Sequence, residues 1–186
     1  LLSSGFEDLE ITGVELNVQS IDGSRTAVLE RIGVNRAEVR AGEELEVQAF
    51  VRSDSGRIFV QKIPVKIPKD TPTGALMLTL GDGYSLQFTS AARKFVPKNL
   101  ADLIKTINQM KRNDRLYLQT HRVTKGAIIG SSEMPNLPPS VLGTLNTART
   151  TGNYQPTVQT ILTEQELAPA EFLISGRQSI SVNVVK

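Results

Sequence analysis

Apolar residues recur at every second position through much of the first ninety residues, and short clusters of Gly, Asp, Ser and Pro interrupt them. That period puts alternate side chains on opposite faces of an extended chain, so the stretch reads as a series of short β-strands. Val14, Leu16 and Val18 alternate with Glu15, Asn17 and Gln19. The turn Asp22-Gly23-Ser24 leads into Val28 to Val34, and Arg40-Ala41-Gly42-Glu43 then opens the clearest strand. Its Leu45, Val47, Ala49 and Val51 share one face while Glu44, Glu46 and Gln48 share the other, the pattern of a sheet with one wet side. Asp54-Ser55-Gly56 turns the chain into Ile58 to Ile67, where Pro64 donates no ladder hydrogen bond, so an edge position or a bulge is expected. Leu76 to Leu80, the loop Gly81-Asp82-Gly83 and Tyr84 to Phe88 read as a further hairpin.

After Pro97 the period changes. Leu100, Leu103, Ile104, Ile107 and Met110 lie on one helical face, with Asn99 at the N-cap and Lys111, Arg112 and Asn113 suited to the C-terminal end. A strand is expected at Arg115 to Thr120, a short helix from Pro139 through Leu145, and closing strands at Thr157 to Leu162 and Ile180 to Val185. The fold class is mainly β: an immunoglobulin-like β-sandwich over 1–90 joined to a smaller α+β portion over 91–186, with one helix and closing strands. No flexible linker separates the two portions, so the sequence leaves open whether they share one core.

Composition narrows the function. The chain has no cysteine, no tryptophan and one histidine, which removes disulfides, thiolate metal sites and cysteine nucleophiles together. No apolar run approaches the roughly 20 residues that cross a bilayer as a helix, so no transmembrane segment is expected. The opening Leu1 to Phe6 has no basic region and no apolar h-region, and the expectation is a fragment of a longer protein.

The formal net charge of +2 hides an uneven spread. Residues 1–90 carry 9 basic and 13 acidic side chains, residues 91–125 carry 9 and 2, and residues 126–186 carry 3 and 4. The basic segment makes Lys105, Lys111, Arg112, Arg115 and Arg122 candidates for contact with an anionic partner. Aromatic residues within it are limited to Phe95 and Tyr117, so nucleic acid is not expected. The proline-rich stretch from Gly130 to Pro139 offers Met134 and Leu137 as a docking loop for a neighbouring domain or peptide.

Catalytic chemistry finds little material. His121 could act as a base oriented by Asp114 or Asp102, but the spacing of those partners gives a serine triad no support. The Asp82 loop lacks the further acids of a calcium site, and the pairs Glu43 with Glu44 and Glu164 with Glu166 read as solvated acids. No catalytic residue, metal ligand or cofactor is expected.

Three stretches carry a family resemblance. NLADLIKTINQMKRNDRLYL from Asn99 to Leu118, SEMPNLPPSVL from Ser132 to Leu142, and ISGRQSI from Ile174 to Ile180 together resemble the region downstream of the peptidase domain in bacterial SpoIVB-type serine peptidase-like proteins. The family's peptidase domain carries its serine in a G-M-S-G-S-P context, and this chain has no such motif. Ser175-Gly176-Arg177 lacks the second Gly-Ser step, so no catalytic residue of the family transfers. The resemblance implies a non-catalytic accessory or protein-interaction module of a larger exported protein. Its partner would be another domain of the same polypeptide or an envelope protein, in an extracytoplasmic location, either periplasm or cell envelope. The alternatives are an envelope or adhesion-type ligand-binding domain using the basic helix, and an unrecognised serine hydrolase.

Overall fold

The computed structural model describes residues 12–18, 20, 22–90, 99–108, 110–129, 132–134, 137–145 and 154–186. The chain forms β1 (Thr26–Val34), β2 (Glu38–Arg40), β3 (Glu44–Ser53), β4 (Ile58–Lys66) and β5 (Gly74–Asp82), then helices α1 (Gly83–Ser90) and α2 (Leu100–Asn108). It continues with β6 (Leu116–Ile129), β7 (Ser132–Met134), α3 (Pro139–Leu145), β8 (Tyr154–Glu166), β9 (Leu173–Ser175) and β10 (Arg177–Val185).

The strands build two sheets. One has the order β4-β3-β1-β9, and the other runs β2-β10-β5-β6-β7 with β8 also paired to β6. Each alternating strand turns its apolar face to a single core. Ala27 and Leu29 of β1, Leu45, Val47, Ala49 and Val51 of β3, and Ile63 and Val65 of β4 meet Leu76, Leu78 and Leu80 of β5, Leu116 and Leu118 of β6, and Val182 and Val184 of β10. Removing each of these Val, Leu or Ile side chains from water contributes roughly 1.5–3 kcal/mol. This core draws on residues from both sides of position 90, which answers the question that the sequence left open.

The alternation read on β3 holds residue by residue, with Leu45, Val47, Ala49 and Val51 buried and Glu44 exposed. The edge placement of β4 also holds, because β4 pairs only with β3 among the described residues. Asn99 opens α2, its carbonyl accepting the Leu103 N–H at 3.1 Å.

Four local readings change. Tyr84 to Phe88 is helix and not the return arm of a hairpin, because the Asp82 carboxylate caps a helix there. Val14 to Val18 forms no strand, since no neighbouring backbone among the described residues pairs with it. Helix α2 ends at Asn108, and the Asn113 side chain accepts the Tyr84 N–H at 2.9 Å instead of closing the helix. Part of the expected docking loop is strand β7, whose Met134 lies opposite Ala127 of β6.

Candidate functional site

Strand β6 and its neighbours place the polar residues of interest on the face of the second sheet turned away from the core. Thr79, Gln119 and His121 alternate with core leucines, yet they too are buried, at 0%, 5% and 4% exposure. Burial of polar groups requires partners, and they have them. The Thr79 hydroxyl lies 3.2 Å from His121 Nε2 and 2.8 Å from the Ser179 hydroxyl, making a row across β6, β5 and β10. Gln119 Nε2 donates to Glu164 at 2.6 Å. Desolvation, followed by the nearby charge of Arg177, pushes His121 below the usual imidazole range, so it is the neutral form that the fold holds.

A serine triad needs histidine between an attackable hydroxyl and a carboxylate. Here the hydroxyl nearest His121 belongs to the fully buried Thr79. Asp114, the orienter the sequence offered, bonds Arg115 through both oxygens, at 2.8 and 3.1 Å. Those bonds to Arg115 hold its carboxyl below the usual range. The Asp102 side chain lies outside the described residues.

The fold engages most of the basic residues in internal pairs. Lys111 pairs with Glu164 and sits over the Tyr117 ring, 4.6 Å from its centroid. Arg115 bridges Asp114 and Glu166. Arg122 donates from Nε to the Ala75 carbonyl at 3.2 Å, and from its two terminal nitrogens to the Pro72 and Thr73 carbonyls at 2.7 Å each. That planar fork clamps the turn before β5 onto β6. Arg112 pairs with Asp114 at 3.1 Å but remains largely exposed, and Lys105 is exposed on α2. Of the five candidates, Lys105 and Arg112 face solvent, while Lys111, Arg115 and Arg122 hold the chain together. Glu164 and Glu166 are partners in this network, and Glu43 pairs with Arg36 at 3.3 Å.

Asp82, expected in a hairpin loop, is instead a junction between elements. It is 5% exposed. Its Oδ1 accepts the Ser85 N–H at 2.7 Å, and Oδ2 accepts the Ser85 hydroxyl at 2.6 Å and the Gly176 N–H at 2.7 Å. One carboxylate therefore caps α1 and ties it to the link between β9 and β10. Gly176 has φ +113°, and a Cβ there would stand 3.3 Å from the Leu29 carbonyl, so the link demands glycine. The recoverable signal was Asp82 followed three positions later by Ser85 at the end of an apolar run.

Two cavities lie beside these groups. One of about 260 Å³ is lined by Asp82, Tyr84, Ser85, Asn113, Ile174 and Ser175 among others. Its walls can hydrogen-bond a small polar group, and Asp82 among them already accepts three internal bonds. The other, about 520 Å³, is bordered by Pro72, Ala75, Arg122, Val123, Thr160 and Leu162. His121 lines neither.

Met134 is 41% exposed, and Leu137 is half-buried with its N–H donated to the Lys125 carbonyl at 3.1 Å. Both flank the far end of β6, while Pro135 and Asn136 between them lie outside the described residues. Among the described residues, no group of three or more His, Asp or Glu is placed to hold a metal ion, and no helix is long and apolar enough to cross a membrane. No family model, curated protein or solved structure matches the chain.

Proposed function

We propose that this chain is a non-catalytic accessory or protein-interaction module of a larger exported bacterial protein that also carries a peptidase-like domain. The observation that carries the reading is the inward use of the reactive groups. His121 is held neutral in a buried hydroxyl row, Asp82 is engaged by three internal donors, and Arg115 and Arg122 fasten strands and turns. Groups so engaged maintain a rigid scaffold, and the contact surfaces left to such a scaffold are its edges and loops. Met134, Leu137 and the exposed side of α2 are the surfaces we assign to the attached domain or an envelope partner.

The immunoglobulin-like form of the sandwich belongs to the same proposal. It is supported by two sheets on one core and by the passage of the chain between sheets, from β1 in one to β2 beside β10 in the other. The hairpin from β3 to β4 inside one sheet departs from the immunoglobulin order, in which consecutive strands at that point lie on different sheets.

The test is the mass of the native protein, by immunoblot with an antibody raised against the folded chain. A band well above 20.3 kDa is expected. A band at 20.3 kDa, or protease activity of the isolated chain that His121→Ala abolishes, overturns the reading.

A further inference from the structure

Two features of the fold are unmatched halves of one contact. Residues 12–18 lie outside any helix or strand, with Val14, Leu16 and Val18 at 84%, 82% and 77% exposure. Strand β4 borders the first sheet, and its opening half presents Ile58 and Val60 to solvent at 54% and 52% exposure. Pro64 stands opposite Glu46 in a register that continues on both sides of it, so the N–H that proline lacks belongs to the free side. Ile58, Val60 and Lys62 share that parity and send their backbone groups the same way. The edge therefore accepts hydrogen bonds from a new strand up to Lys62 and is interrupted at Pro64, with Lys62 and Lys66 guarding its second half.

We propose that residues Val14–Val18 of a second copy of this chain add to β4 as an antiparallel strand, each copy giving its segment to the other. The register sets Leu16 opposite Val60, Val18 opposite Ile58 and Val14 opposite the alkyl stem of Lys62. Leu16 then extends an outer-face row that already runs through Val60, Phe50 and Arg31, whose guanidinium stacks 3.7 Å over the Phe50 ring. The pairing satisfies the open backbone and joins five exposed apolar side chains per copy into one cross-strand row. Two reciprocal additions remove at most roughly 1,000 Å² in total, the lower end of specific protein interfaces. Within one molecule Val14, Leu16 and Val18 are exposed and pair with no described strand, while Ser24 donates to Asp54 at 2.6 Å in the turn between β3 and β4.

The experiment is sedimentation velocity with hydrogen exchange on the 186-residue chain and two variants. The unsubstituted chain sediments at twice 20.3 kDa, with slowed exchange at 14–18 and at the free-side amides of β4. Leu16→Pro removes the donor from the strand. Val60→Pro removes it from the free edge and leaves the β3 ladder intact. Each variant alone sediments at 20.3 kDa, and an equimolar mixture regains a dimer of weaker affinity through its one competent strand and edge. A monomeric parent chain at about 100 µM, where any dimer of ~10 µM Kd is largely assembled, overturns the proposal. So does a dimer that survives Leu16→Pro, or a monomer with protected amides at 14–18, which places the segment on its own β4.

Discussion

Replacing Asp82 with alanine tests whether one carboxylate holds three elements together. The substitution removes the cap of α1, which is worth about 1 kcal/mol. It also leaves the Gly176 N–H without its acceptor at a buried junction, a loss of about 1–3 kcal/mol. The sum is roughly 2–4 kcal/mol, and for a chain of this length each kcal/mol lowers the melting temperature by about 2–4 °C. Thermal unfolding followed by circular dichroism should therefore shift down by roughly 5–15 °C. Ser85→Ala keeps the carboxylate and both backbone donors and loses only the hydroxyl bond, so its shift is about 2–3 °C. Asp82→Asn retains an amide oxygen for one backbone donor and falls between them. A shift of no more than about 2–4 °C for Asp82→Ala, the size of a cap alone, or one matched by Ser85→Ala, refutes the junction.

Two other perturbations have worked signs. His121 is the one histidine of the chain, and its folded pKa lies below the unfolded value of about 6.5. The unfolded state thus binds the proton first, so this contribution is complete above about pH 6.5 and diminishes as the pH falls below it. Denaturant midpoints measured between about pH 7 and pH 5 should fall for the parent chain and stay flatter for His121→Asn; parallel curves reject the buried neutral imidazole. Arg122→Ala strips the Pro72, Thr73 and Ala75 carbonyls of their donor and should cost about 1–3 kcal/mol in urea unfolding, with Arg122→Lys recovering only part because ammonium has no planar fork. Unchanged midpoints, or full recovery by lysine, contradict the clamp.

The sequence and the fold agree where a single period dominates. Strand β3 was legible because charged and apolar residues alternate along it without interruption, and β4 was legible as an edge because Pro64 cannot complete an interior ladder. Tyr84 to Phe88 misled because Tyr, Leu and Phe suit either element there, and the deciding interaction was one carboxylate at the preceding residue. Val14 to Val18 misled for the opposite reason: its pattern is that of a strand, but a strand also needs a neighbour, and pattern carries no information about that. The basic segment shows the same limit. Its charge density is plain in the sequence, whereas the pairing of Lys111 with Glu164 and of Arg115 with Glu166 joins residues about fifty positions apart. Asp82 was partly legible as a cap, but its bond to Gly176 spans 94 positions and is set by the fold alone.

The position of β10 has a kinetic consequence. This strand lies between β2 and β5, and β9 just before it borders β1, so each sheet waits for backbone made about 150 residues after Thr26. At ribosomal rates of about 5–20 residues per second, the early strands emerge on the order of ten seconds before the strands that complete them. Through that interval the edges of β1 and β5 are open, and closure depends on contacts of high sequence separation, which form slowly. Nascent-chain folding should therefore remain incomplete until residues 177–185 emerge, and during that time the chain offers its apolar strands to any chaperone that meets it.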